Sequence, residues 1–201
     1  MSKILEIAQA NIEYKKARNT ARKKLNKLKI AKEKYYFLDR IIEPRKDTDT
    51  RDNDIELEYA ILNLFKSIGF KCEKPKLNAD VDVKVKFKDF YFGVEVKNGG
   101  LVGENDTFQP FKHKLLNDDS FHPLLVFNNT KYNNNWDAPR IKIATKAKFG
   151  LLLTTELKDG YIKLKNNKIT FDQFLNQLRQ TGEIKFSNRA IQRAYKSEGD
   201  R

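Results

Sequence analysis

The chain is poor in the residues that build several common kinds of site. It has one cysteine, Cys72, so no internal disulfide can form, and the composition fits a reducing compartment. Cys72 falls in an apolar stretch that reads as a strand, where a buried, inert thiol is expected. The two histidines, His113 and His122, share no metal-site spacing with it and are expected as surface or capping residues. No apolar run approaches the roughly 20 residues of a membrane span. The N-terminus, M-S-K-I-L-E-I-A-Q-A, lacks the apolar core of a secretory signal, so a cytoplasmic protein is expected. There is no glycine-rich phosphate loop, no G-x-G-x-x-G and no setting for a nucleophilic Ser or Cys, which argues against ATP use. Acidic residues are in deficit: 27 Asp and Glu face 40 Lys and Arg, for a net charge of +13. A balance this basic points to a polyanionic partner, nucleic acid first and an anionic membrane second. A Lys-rich, Asn-rich composition that only raises solubility is the plain alternative.

What is present divides the 201 residues into four parts. Residues 1–45 contain no glycine and a single proline, Pro44. Apolar residues recur at Leu5, Ala8 and Ile12, and again at Ala21, Leu25, Leu28 and Tyr35. The phase slips near Asn19-Thr20, which predicts two helices or one kinked helix. Their polar face is basic and reads equally as a phosphate-contacting arm, a dimerisation hairpin or a solvated face. Residues 46–53 hold no apolar side chain and read as a linker. Residues 54–186 carry the main domain, and residues 187–201 a basic, polar tail.

Within the main domain Leu57, Ile61, Leu64 and Ile68 recur at helical spacing, and Gly69 closes the helix. Phe70 to Lys74 reads as a short strand. A helix is expected from Asp106 or Thr107 to about Leu116, then a wholly apolar strand, P-L-L-V-F-N, from Pro123 to Asn128. Asp137 caps a helix with Pro139 in its first turn. Gly150 to Thr155 reads as another strand, Asp159-Gly160 as a turn before a strand at Tyr161–Leu164, and Thr170 to Gln173 as a capping box. The succession predicts a mixed α/β sheet with an antiparallel meander.

The stretch from Ala79 to Gly100 carries the chemistry. It alternates apolar and polar residues on both sides of Lys88-Asp89, which predicts a two-residue hairpin. Phe87 then pairs with Phe90, Val85 with Phe92, Val83 with Val94 and Val81 with Val96. On the other face the register sets Asp82 opposite Glu95. Opposed side chains lie about 5 Å apart, where like charges are destabilising. A divalent cation between them would resolve the conflict, and Mg²⁺ prefers such oxygen ligands. Lys97 lies on the same face as Glu95, about 7 Å along the strand, where an ammonium can offset charge building on a phosphate. The Val96 carbonyl offers a further oxygen. Gly93, facing Lys84, is expected to leave open space beside the carboxylates. Pairing of Asp82 and Glu95 with Lys84, Lys86 or Lys97 on a solvated face is the plain alternative. Lys112, Lys114 and Gln109 on the next helix could reach a phosphate. Trp136 and Tyr132 could stack on a base, although a loop anchor is the simpler role.

Asp82, a strand-turn-strand, then Glu95-Val96-Lys97 resembles the PD-(D/E)XK nuclease superfamily, the restriction-endonuclease-like fold. The Asp stands in A-D-V-D-V rather than after proline. The element order from residue 54 to 128 resembles that fold's αβββαβ core. Glu58, in L-E-Y-A-I-L-N-L-F-K-S-I-G-F, resembles the Glu on the first helix of Mrr-like domains, and Asp80-Val-Asp82-Val their catalytic-Asp segment, with Glu95 where many carry Gln. The resemblance implies Asp82 and Glu95 as metal ligands, Lys97 as catalytic lysine and Glu58 as an outer-shell or second-metal ligand. It covers about residues 54–130. The expected activity is Mg²⁺-dependent endonucleolytic hydrolysis of DNA, with Mn²⁺ as substitute, in a restriction or defence role. The N-terminal helices and the Arg140–Lys148 helix, Arg140 and Lys142 included, are expected to hold the nucleic-acid backbone. A homodimer or partner subunit is expected if both strands are cut. A nucleic-acid-binding module without activity, or an RNA-directed nuclease, remain alternatives.

Overall fold

A computed structural model describes residues 2–42, 50–74, 81–88, 90–98, 109–110, 112, 114, 121–128 and 135–191. The chain divides into two compact units, Met1–Tyr36 and Phe37–Arg201.

The first unit is helical. Helix α1 spans Ser2–Ile42 and departs from helical geometry at Tyr35 (φ −111, ψ 15) rather than at the expected slip near Asn19-Thr20. Thr20 sits within the continuous helix, its hydroxyl donating to the Lys16 carbonyl at 3.0 Å. Its basic side chains from Lys15 to Lys27 are exposed, and so are Tyr14, Leu25 and Leu28.

The second unit takes in the end of α1, whose Phe37 and Ile41 are buried in its core. Helix α2 (Thr50–Ile68) starts before the expected Asp54. It stops at Gly69, where φ is +109, with Gly69 N–H donating to the Lys66 carbonyl and Phe70 N–H to that of Phe65. Those two bonds close the end of a helix that a left-handed residue terminates.

Six strands follow in the order β1 (Lys71–Glu73), β2 (Val83–Phe87), β3 (Phe90–Asn98), β4 (Phe121–Asn128), β5 (Gly150–Leu153) and β6 (Gly182–Ile184). Each pairs with its sequence neighbour. β1, β2 and β3 are antiparallel; β3 through β6 are parallel. The meander therefore forms one side of the sheet, and the parallel strands the other. Helices α3 (Ala138–Ala147), α4 (Thr154–Lys165) and α5 (Phe171–Leu178) complete the described elements. Of the helix expected before β4, Gln109, Pro110, Lys112 and Lys114 are helical, and its other residues lie outside the described ones. Among the described residues no helix is long and apolar enough to cross a membrane.

The sheet is covered on both faces. Leu57, Ile61 and Leu64 of α2 pack with Val83, Val85, Val94, Val96 and Val126 on one face, together with Leu157 and Tyr161 of α4. Leu125, Phe127, Phe149 and Leu151 pack with Ala144 of α3 and Trp136 on the other. β4, buried on both faces, is apolar throughout its centre for that reason.

The expected strand at Tyr161–Leu164 is instead the second half of α4. Asp159-Gly160 suggested a turn, but a Cβ on Gly160 would meet the Phe186 ring at 2.6 Å, so the glycine serves close packing. Asp159 pairs with Lys163 at 2.7 Å, one helical turn on, and Leu157 and Tyr161 bury one stripe. The caps are as expected. Asp137 accepts from Arg140 N–H, and Thr170 and Gln173 bond each other's backbone. Past β6 the chain is not wholly surface, since Ile191 is buried.

Candidate active site

The β2–β3 hairpin has the register its alternation predicts. Phe87 pairs with Phe90, Val85 with Phe92 and Val83 with Val94. Lys88 takes a left-handed conformation (φ 52) to close the turn. The ladder changes one residue further out. Asp82 N–H donates to the Val94 carbonyl at 3.1 Å rather than pairing across from Glu95. The Asp82 side chain then does what a backbone carbonyl would do in a continued ladder: its Oδ2 accepts from Val96 N–H at 2.7 Å. One carboxylate oxygen is thereby fixed by the backbone of the strand that carries Glu95 and Lys97.

Glu95 is buried, 5% exposed, at the centre of β3. Burial pushes its carboxyl up to about 8, and the neighbouring Asp82 carboxylate pushes the same way, through its charge and a side-chain hydrogen bond. Lys97 opposes the shift, and the Glu58 charge adds to it. The other three residues expected at the site are thus within electrostatic reach of Glu95, although α2 supplies Glu58, the approach to β2 supplies Asp82 and β3 supplies Lys97 and Glu95 itself. Glu58 is held by Lys74, whose Nζ lies 2.6 Å from its Oε2. Among the described residues no group of three or more His, Cys, Asp or Glu side chains is arranged to hold a metal ion. The close donor pair is Asp82 and Glu95, with Val96 beside them through its amide.

The face is also defined. Glu95 and Lys97 stand in register with Leu125 and Phe127 of β4, which belong to the core covered by α3. The open space expected beside Gly93 is absent. Gly93 does face Lys84, but the Phe121 ring occupies the place that a Cβ would take. The glycine accommodates a neighbouring strand's aromatic side chain rather than a substrate.

The expected nucleic-acid contacts are dispersed. Gln109 and Lys112 are exposed. Lys114 is half-buried, and its Nζ donates to the Phe121 carbonyl at 3.2 Å. Arg140 is ion-paired with Asp137 at the start of α3, and Lys142 on the same helix is exposed. Trp136 is buried against Phe127, with ring centroids 5.6 Å apart, which is the anchoring role. Tyr132 and His113 lie outside the described residues.

His122, expected at the surface, is buried beside Phe90 and Phe92. Burial holds its imidazole down to about 4 despite a hydrogen bond to the Gln180 backbone, and Lys114 and Arg179 lower it further. Pro123 directly after it and the apolar run beyond were the available signs that this position lies inside. Cys72 is half-buried, with Sγ 3.7 Å from the Phe70 carbonyl, and burial pushes its thiol up to about 11, as an inert thiol requires. Sequence reasoning missed Lys74. It stands alone before Pro75 with no periodic partner, and only the packing of α2 against β1 brings it to Glu58.

Neither a protein-family model nor a curated protein matches the chain. Solved structures do. Restriction endonuclease FokI matches with a TM-score of 0.50 at 13% identity, over 75% of this chain and 30% of that one. Restriction endonuclease FokI bound to DNA matches with a TM-score of 0.51, also at 13% identity, over 76% of this chain and 30% of that one. The chain thus spans less than a third of those proteins. The likeness is one of fold: the mixed six-stranded sheet with its αβββαβ core is restriction-endonuclease-like.

Proposed function

We propose that the chain is a metal-dependent endonuclease of the PD-(D/E)XK superfamily, with Mrr-like features, that hydrolyses phosphodiester bonds in DNA. The observation that carries this reading is the buried Glu95 carboxyl set against Asp82, with Lys97 on the same strand and Glu58 close by. Two carboxylates in contact, one of them buried, destabilise each other unless a proton or a cation joins them. Their hard oxygens suit Mg²⁺, which takes one or two carboxylates, and Mn²⁺ would substitute. Asp82 and Glu95 would hold the ion, with the Val96 carbonyl as a further oxygen and Glu58 in the outer shell. When bound, the ion would supply Lewis-acid polarisation of a phosphoryl oxygen.

The chain's own groups supply the rest. The Val96 amide orients Asp82. Glu95 holds a proton until a cation replaces it. Lys97 presents an ammonium to the negative charge that builds on the phosphate. α3 packs over β5 and β6 on the sheet face toward which Glu95 and Lys97 point, and Arg140 and Lys142 on it would contact the nucleic-acid backbone. Gln109, Lys112 and Lys114 would do so from the helix before β4. The exposed cations of the basic region 1–45 would add contacts in the salt-sensitive manner of phosphate binding. Duplex DNA as substrate is supported by the structural neighbour that is bound to DNA. Cleavage of both strands would need a homodimer or a partner subunit. The single, inert Cys72 supports a cytoplasmic setting.

The test is plasmid incubation with Mg²⁺ or Mn²⁺, with and without EDTA, for wild type and Asp82→Ala, beside matched single-stranded DNA and RNA. Wild type nicks or linearises the plasmid only with metal, and Asp82→Ala does not. No cleavage by wild type while both proteins bind DNA equally would mean a binding module. Cleavage of RNA alone would refute the substrate.

A further inference from the structure

Lys74 follows β1 directly. Its ammonium lies 2.6 Å from Glu58 Oε2 and 4.4 Å from the centroid of the Tyr59 ring. Carboxylate and aromatic ring come from adjacent positions on α2, so the cation is gripped on two sides. The two side chains are 28% and 14% exposed, which screens this pair less than an open surface pair. Glu58 in turn acts on the charge of Glu95.

We propose that Lys74 is a built-in cation that reserves Glu58 and makes this a one-metal site. The divalent ion belongs to Asp82 and Glu95, and the Lys74 ammonium fills the place at Glu58 that a second ion would take. This rests on the metal-dependent reading above. The charges at the site agree with it. Fully ionised, three carboxylates (Asp82, Glu95, Glu58) against two ammonium groups (Lys97, Lys74) leave one negative charge. One divalent ion turns that into a single positive charge, suited to a phosphate anion. A second would have to displace Lys74 from its 2.6 Å ion pair and would raise the site to two positive charges. Lys74 is therefore a positioning residue, distinct in role from Lys97.

The full chain is titrated with Mn²⁺ alone, and bound ions are counted by loss of the free-ion EPR signal. Wild type and Lys74→Arg bind one ion per chain. Lys74→Gln binds two, and the second is lost again in Lys74→Gln/Glu58→Gln. Thermal melts confirm that each variant is folded. Two ions on wild type, or one on folded Lys74→Gln, would overturn the assignment of Lys74 while leaving a metal site in place. No ion on wild type, or one that survives Asp82→Ala, would overturn the metal reading and this inference with it.

Discussion

Replacing Glu95 with glutamine is expected to stabilise the metal-free protein at alkaline pH while abolishing its chemistry. The native carboxyl is raised from 4.5 to about 8, first by burial and then by Asp82. An acid that holds its proton more tightly in the native state loses stability as pH rises. Between 4.5 and about 8 the unfolded chain has released the proton and the folded chain has not. Stability contributed by Glu95 is therefore greatest below that window and is lost across it. The loss is on the order of 3–5 kcal/mol, at about 1.4 kcal/mol per pH unit. A glutamine at this position would have the shape of the protonated acid, no charge to desolvate, and an amide that can donate to Asp82.

The assay is thermal unfolding of wild type and Glu95→Gln in EDTA at pH 5 and pH 9. At pH 5 the two should melt together. At pH 9 the variant should melt higher by roughly 6–20 °C, taking about 2–4 °C per kcal/mol for a chain of this size. Adding Mg²⁺ at pH 9 should raise wild type and leave the variant where it was, because a ligand stabilises only the state that binds it. A variant that melts lower at pH 9, or by the same offset at both pH values, would refute the repulsion on which the site rests.

Three further outcomes follow from the same structure. Lys97→Ala should lower turnover by about 100-fold or more while Mn²⁺ still binds, because the ammonium acts on developing charge rather than on the ion; unchanged cleavage would remove Lys97 from the mechanism. His122, held neutral by burial down to about 4, must stay uncharged for the core to close, so its contribution is lost as pH falls from 6.5 through 4. Urea unfolding at pH 7 and pH 4 should show wild type losing more stability than His122→Phe over that interval. Gly160→Ala should destabilise by about 1–3 kcal/mol, because the added methyl meets the Phe186 ring. At a merely helical position the same change would stabilise by about 1 kcal/mol, so a rise in melting temperature would show that Gly160 is not packed.

The features legible in the sequence are those that depend on local period. The hairpin register followed from alternation and a two-residue turn, because a one-residue slip would turn every apolar side chain outward. The stop at Gly69 and the caps at Asp137 and Thr170 followed from single residues whose backbone roles are narrow. What failed was inference from glycine. On sequence alone Gly160 suits a turn and Gly93 open space, and both are sites where a ring from a distant segment, Phe186 or Phe121, presses on the backbone. Absence of a side chain permits a turn, a ligand or a close neighbour alike. Only tertiary structure selects among them.

The Asp82 geometry shows the same limit at the site itself. Alternation predicted that Asp82 stands across from Glu95 in a regular ladder, two charges opposed and both pointing from the same sheet face. The ladder ends before that pair forms, and Asp82 turns its carboxylate onto the Val96 amide. A regular pair would leave both carboxylates able to rotate apart. The departure fixes one oxygen of Asp82 by a 2.7 Å bond, and Glu95, raised first by its own burial, takes a further push from that carboxylate. The strand order placed the two acids together. The break in that order makes their repulsion inescapable, so a proton or a cation has to join them.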